Sequence, residues 1–393
     1  MKLTVINSLA DVGPVEWNRL NPAGDPFLCH EFLYGLETHD CLGPQGWYTS
    51  HLILRDTDGR LCAAMPLYLR SNSYGEFVFD WAWADAYERA GGHYYPKFVS
   101  AIPFTPATGC RVLTNDTDIA VAMPALTGAA IELMGHNNAS SLHCLFPDSE
   151  QAEIFRQLNF LIRIGCQFHW FNRGYKSFDA FLQALNSKRR KQIKRERRQA
   201  NAPGISIEVL YGDAITAEHW SVFHEFYCST FYRKWGEPRL TEAFFRYLSE
   251  AMPHAPLLVL AKHDGNYVAG SFSMRGADTL YGRHWGCSQH FKQLHFELCY
   301  YQTIEFCINH GLRKFDAGAQ GEHKITRGFD PVKTWSAHWI AEQSFRDAIA
   351  EFLRRETDHI DQYIEDLAGH RAYKKSPEFD QSITICDEPV KAQ

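Results

Sequence analysis

Residues 51–70 read HLILRDTDGRLCAAMPLYLR, and residues 257–275 read LLVLAKHDGNYVAGSFSMR. In each stretch an Asp-Gly pair, Asp58-Gly59 or Asp264-Gly265, separates two apolar runs. That is the strongest short-range signal for a β-hairpin, because a tight turn needs residues that tolerate positive φ. Laid on each other at a fixed offset, Leu52 falls on Leu258, Leu54 on Leu260, Asp58 on Asp264, Gly59 on Gly265 and Ala63 on Ala269. These matches sit at the turn and at alternate inward positions, where a hairpin tolerates least change. The chain is therefore expected to carry one α/β unit twice.

The surroundings support that expectation. Each hairpin follows helical segments and precedes another strand, a helix and a further strand. In the first unit, 14–20 and 30–36 read as helices, 77–81 as a continuation of the sheet, and 121–134 as a buried helix. A strand at 141–146, a helix at 150–158 and a strand at 161–171 complete it. In the second, 178–200 reads as one long helix, 205–211 as a strand, and 217–233 and 242–251 as helices. Strand 279–285, helix 295–310 and strands 313–317 and 334–341 follow, and 346–367 is an amphipathic helix. The expected domains are 1–172, 173–345 opening with a basic helix, and 346–393 as a C-terminal helix and tail.

Composition bounds the function. The 393 residues carry 40 Lys and Arg against 46 Asp and Glu, a net charge of −6, and 45% are hydrophobic. This is the balance of a globular protein, and its mild acidity argues against a dedicated duplex-DNA binder. No secretory signal is visible, and the apolar stretch 119–131 is too short to span a bilayer. Eleven cysteines without CxxC pairs point to reduced thiols and a cytoplasmic location. Nineteen histidines form no HExxH or zinc-type cluster, so no metal is expected.

Two segments concentrate chemistry. The run 188–198, KRRKQIKRERR, places eight cations in eleven residues with Glu196 as the sole acid. An ordinary solvated helix face carries mixed charges, since like charges at i,i+4 repel. Crowding of one sign on an acidic protein points to a polyanionic ligand, with Lys188, Arg189, Arg190 and Arg195 holding donor phosphates. The second segment, 314–331, reads KFDAGAQGEHKITRGFDP. A strand ends at Asp316, and a glycine-rich loop then gathers Gln320, Glu322, His323, Lys324 and Arg327. Glu322 or His323 would take a proton from an attacking amine, with Asp316 orienting it or acting as the base itself. Lys324 and Arg327 would hold an anionic group or an oxyanion. His284, Trp285, Glu297 and Tyr300 flank the same connection, and Phe104 with Arg111, in a Pro-bounded loop, would close over the cleft.

The pattern of hairpin, third strand, helix and strand resembles the acyltransferase core of the GNAT superfamily. Two such units, with a basic segment opening the second and the "RGF" loop near its end, resemble the Fem-type peptidyltransferases. The likeness is nearest to the FemAB-like branch of peptidoglycan biosynthesis and recognition. It covers roughly 14–341 and is most specific at 103–111, 188–198 and 315–331. It implies two tandem GNAT-like domains, each a mixed, mostly antiparallel sheet flanked by helices. It also implies an N-acyltransferase that moves an activated acyl or aminoacyl group onto an amine by direct attack. The donor would be aminoacyl-tRNA or acyl-CoA with no tightly bound cofactor, and the acceptor a peptide or cell-wall precursor. GNAT enzymes wrap the pyrophosphate of CoA in a glycine-rich loop, whereas 289–297 here contains no glycine. Fem-type enzymes carry a Phe-Lys-x-Gly-Phe-Gly-Gly pattern where this chain has Thr326-Arg327-Gly328-Phe329-Asp330-Pro331. The alternatives are an acyl-CoA enzyme with an atypical loop and a non-catalytic peptide or RNA recognition module.

Overall fold

A computed structural model describes residues 1–115, 117–201, 204–233, 236–319 and 321–374. The first half runs β1 (Lys2–Ile6), α1 (Pro14–Asn18), α2 (His30–Thr38), β2 (Trp47–Thr49), β3 (His51–Arg55), β4 (Leu61–Met65) and β5 (Tyr68–Arg70). It continues through α3 (Trp81–Arg89), β6 (Lys97–Ser100), β7 (Leu113–Thr114), α4 (Ile119–His136), β8 (Ser141–Leu145), α5 (Ser149–Gln157) and β9 (Leu161–Phe171). The second half runs α6 (Phe178–Ala184), α7 (Ser187–Ala200), β10 (Ile205–Tyr211), α8 (Ala217–Tyr232), α9 (Glu242–Ala251), β11 (Pro256–His263), β12 (Asn266–Arg275) and β13 (Thr279–Cys287). It ends with α10 (Leu294–Phe296), α11 (Gln302–Asn309), β14 (Lys314–Asp316), β15 (Asp330–Ile340) and α12 (Gln343–Ala368).

The halves repeat one plan. Each has an antiparallel hairpin, β3–β4 or β11–β12, and each closes on a parallel pair, β6–β8 or β13–β14. The last long strand of each half then crosses over. β9 follows β8 in the chain but pairs with β14, while β15 follows β14 but pairs with β8. The two crossing strands lie against each other from His169–Asp330 to Leu161–His338. The result is one eleven-stranded sheet, β10-β11-β12-β13-β14-β9-β15-β8-β6-β5-β2, beside a four-stranded sheet β1-β3-β4-β7. The boundary expected at 172 falls directly after a strand that belongs to the sheet of the second half.

Local structure departs from the sequence reading in four places. The two Asp-Gly turns differ: Asp264 and Gly265 both have positive φ and close a two-residue turn, whereas at the first turn only Gly59 does and the loop spans Asp56–Arg60. The expected helix 178–200 breaks, because Leu185 is extended and the Asn186 side chain accepts from Arg189 N–H, starting α7 anew. Residues 77–80 form no strand; they are a strap leading into α3. Finally, α4 buries Ala122, Met123, Leu126 and Ala130, but Val121, Pro124, Ala125 and Gly128 on its other face are exposed. Among the described residues it alone is long and apolar enough to cross a membrane, and a third of it is buried.

Candidate functional site

The parallel pair β13–β14 lasts only from Thr279–Lys314 to Tyr281–Asp316. Beyond it the strands part, because β14 ends at Asp316 while β13 continues to Cys287. A cavity of about 120 Å³ fills the wedge, and Ser273, His284, Trp285, His295, Cys299 and Tyr300 contribute to its lining. A π-turn at Glu297–Tyr301, between α10 and α11, delivers Cys299 and Tyr300. Such one-residue insertions in a helix recur at functional sites.

Both imidazoles at this cavity are held neutral. Burial pushes His295 down to about 4, aided by the nearby cations Arg327 and Lys324 and by the His323 ring. Burial, Arg283 and Arg239 hold His284 well below its usual range. Among the described residues no carboxylate faces either ring closely enough to reverse this. Burial also lowers the Lys324 ammonium to about 8; it donates to Ala317 O at 2.8 Å and Gly318 O at 2.7 Å. Two further cations lie nearby. Arg283 donates to Phe104 O at 2.9 Å, and burial lowers it to about 10. Arg239 stacks beside the Phe104 and Phe231 rings. Neither forms an ion pair among the described residues.

The sequence-derived residues divide sharply. His284, Trp285 and Tyr300 line the cavity, and Lys324 braces its floor. His323 is largely exposed and bonds Tyr300 Oη through Nε2 at 3.0 Å. Asp316 is 1% exposed, accepts from Gly318 N–H at 2.9 Å and lies 3.6 Å from His169 Nε2. It thus sits beneath the cavity instead of in it. Glu322 is exposed and turned away, accepting from Tyr363 Oη at 2.7 Å. Arg327 is consumed by Glu196 at 2.9 Å and stacks on Phe296. Glu297 is fully buried against Arg197 at 2.9 Å. Arg111, 1% exposed, spends its guanidinium on the carbonyls of Ala107, Leu145 and Phe146. Phe104, at φ 57°, offers Arg283 only its carbonyl. Gln320 lies outside the described residues.

The basic helix α7 is joined to this site by its inner face. Glu196 accepts from Tyr301 and Arg327, and Arg197 reaches Glu297 and Glu305. Lys188, Lys191, Arg195 and Arg198 project outward, and Arg190 is half-buried, with no ion pair among the described residues. Arg189 donates to Gln192 Oε1 at 3.0 Å. The packing stripe therefore anchors the helix through one acid and one cation, leaving an outer face of cations of which Lys194 meets Asp179 at 4.0 Å.

Sequence reasoning missed a second polar assembly, in the first half. Lys97, fully buried, donates to Ser73 and Glu76 at 2.7 Å each and pairs with Asp80 at 2.5 Å. Arg70 reaches Glu76 at 3.2 Å. Tyr94 donates to Asp80 at 2.7 Å, and His143 meets His338 Nδ1 to Nδ1 at 2.6 Å. A Nδ1–Nδ1 contact this short holds one proton, so one ring donates and the other accepts. Burial pushes His143 down to about 3. Single buried charges in separate segments carry no periodic signal, so only their partners reveal them.

Comparison with known proteins follows this geometry. The sequence pattern of the FemAB-like family, described as peptidoglycan biosynthesis/recognition, matches residues 8–375. No functionally curated protein matches. Among solved structures, FemX superposes with a TM-score of 0.55 at 13% identity, covering 89% of this chain and all of FemX. The C-terminal domain of a putative lysylphosphatidylglycerol synthetase from Agrobacterium fabrum superposes at 0.52 and 7% identity, covering 86% of this chain and 96% of that one. A tandem GNAT protein from the clavulanic acid biosynthesis pathway gives 0.45 at 12% identity, over 87% and 99%. At such identities the likeness is one of fold.

Proposed function

We propose, from the premise that this chain belongs to the FemAB-like family of peptidoglycan biosynthesis and recognition, that it moves an activated aminoacyl group from a tRNA donor onto an amine. The observation that carries this reading is the wedge between β13 and β14. There a small cavity holds two neutral imidazoles, and α7, whose inner face bonds Tyr301, Arg327 and Glu297 of the same region, carries exposed cations on its outer face. A basic helix whose exposed cations meet a single carboxylate among the described residues, Asp179 at 4.0 Å from Lys194, suits a nucleic-acid phosphate backbone. The glycine-free stretch 289–297 gives no backbone cradle for the pyrophosphate of CoA.

In this reading the amine nitrogen attacks the acyl carbon. A C–N bond forms, and the C–O bond to the donor ribose breaks. His295, without a hydrogen-bond partner among the described residues and kept uncharged chiefly by burial, takes the amine proton and returns it to the leaving oxygen. The His284 N–H stands ready for the carbonyl oxygen as negative charge develops on it, a role a neutral imidazole can fill. Lys324 fixes the backbone of Ala317 and Gly318 and adds positive potential below the cavity. Arg239 and Arg283 would hold an anionic group of the acceptor at the mouth.

The test is binding of charged tRNA and of acetyl-CoA at two salt concentrations. Charged tRNA should bind, and Arg190→Glu with Arg195→Glu should weaken it at least tenfold at low salt and flatten its salt dependence. His295→Ala should leave that binding intact while slowing acyl transfer to an added amine by 10²-fold or more. Binding of acetyl-CoA without tRNA would overturn the donor assignment.

A further inference from the structure

We propose that the cavity between the 77–79 strap and the exchanged strands β9 and β15 is a second binding site, for a neutral polyhydroxylated ring of monosaccharide size. The cavity measures about 220 Å³. That is below the roughly 300–1,000 Å³ of drug-sized pockets, so it admits one ring and no long chain. It stands on its own geometry and not on the transfer reading.

Its lining has two characters. From the sheet come polar groups of Gln167, Thr334 and Ser336; from the strap come Phe77, Val78 and Phe79. Thr334 is 5% exposed, and its hydroxyl has no hydrogen-bond partner among the described residues. A Cβ on Gly165 would stand 2.8 Å from that hydroxyl, so the glycine keeps the space over Thr334 open. Ser336 Oγ meets His338 Nε2 at 2.8 Å and keeps further hydrogen-bonding capacity. At the rim Arg163 and Glu356 pair through two bonds of 2.7 and 2.8 Å and cancel each other's charge. A charged ligand gains little there. A ring with hydroxyls on its edge and apolar C–H faces matches hydroxyl groups on one side and phenyl rings on the other.

The strap is held ready before any ligand arrives. Arg163 Nη1 donates to Phe79 O at 2.8 Å, and Lys97 ties down Ser73, Glu76 and Asp80 on either side of the three apolar residues. Phe77 adopts φ 61°, a conformation costly for a bulky residue, and its side chain joins the cavity wall. Phe79 is 59% exposed although apolar. Preorganisation of this kind lowers the ordering cost of binding.

The experiment is saturation-transfer NMR and titration on the full chain, with methyl glucoside and cyclohexylmethanol as probes. Methyl glucoside should receive saturation. Gly165→Ala should weaken it at least tenfold by filling the cavity. Thr334→Val, which keeps shape and removes the hydroxyl, should weaken methyl glucoside several-fold and leave cyclohexylmethanol unchanged. If Gly165→Ala does not fold, the Thr334→Val contrast decides alone. No saturation of methyl glucoside, or equal binding by both variants and the parent chain, overturns the proposal. Binding of cyclohexylmethanol only overturns the polyol assignment. None of these outcomes depends on tRNA binding.

Discussion

Two clusters of buried charge, one around Lys97 in the first half and one around the small cavity in the second, are built in opposite ways. In the first half, Arg70 and Lys97 face Glu76 and Asp80, two cations against two carboxylates, with each ion bonded. In the second half, Arg239, Arg283 and Lys324 gather around a cavity with no ion pair of their own among the described residues. A balanced network satisfies itself and needs no ligand. A surplus of one sign beside a cavity is completed by something brought from outside. The proposed transfer reading accordingly rests on the second cluster, and the first is expected to be structural.

The largest effect should come from breaking the balanced network. Lys97→Ala leaves Asp80 without a cation and Glu76 with Arg70 alone, and should cost about 3–5 kcal/mol in urea unfolding. Lys324→Ala removes an ammonium bonded only to carbonyls and should cost about 1–2 kcal/mol. Equal losses would erase the distinction drawn here.

Acid should distinguish the halves next. His143 and His295 have folded values near 3 and near 4, and His284 and His338 are also depressed. The unfolded chain takes up these protons near pH 6.5, so the stability they contribute is full above that pH and is lost as pH falls toward 4–3. The slope is at most about 1.4 kcal/mol per pH unit for each histidine. His143→Gln should flatten it more than His295→Gln, whose ring is partly solvated, in urea titrations at pH 7, 5.5 and 4. A larger flattening from His295→Gln would sharpen the second half's role in acid stability.

Smaller still is Arg239→Gln. Removing a cation without an ion pair should leave stability within about 0.5 kcal/mol, while the thermal midpoint gained from added phosphate should fall. An unchanged phosphate response would remove Arg239 from the anion site. The smallest effect is expected at Glu322→Gln, where an exposed contact with Tyr363 is lost. Stability should stay within about 0.5 kcal/mol, and transfer should be unaltered; a large fall in transfer would return Glu322 to the mechanism.

How much was legible follows from where each signal resides. Strand β9, strand β10 and helix α9 match their expected limits residue for residue, because alternation and side-chain caps such as Thr241 are local. His284, Trp285 and Tyr300 flank a recognisable connection in the sequence, and they line the cavity. Arg111 and Glu297 were chosen as binding residues by charge type alone. Their full engagement by backbone carbonyls and by Arg197 depends on segments 34 and 100 residues away. His169 carries no such signal because β9 closes the first unit in sequence, although it faces Asp316 of the second.

The sequence by itself determined the repeated hairpins, most helix limits and the positive face of α7, since turn chemistry, capping and charge spacing act within a few residues. Only the tertiary structure decided that β9 and β15 change places and that Lys97 meets Glu76 and Asp80. It also decided which cations remain free beside the cavity. Strand pairing is made by backbone groups that are alike in every residue, and a buried charge is priced by neighbours the chain reaches only once it has folded.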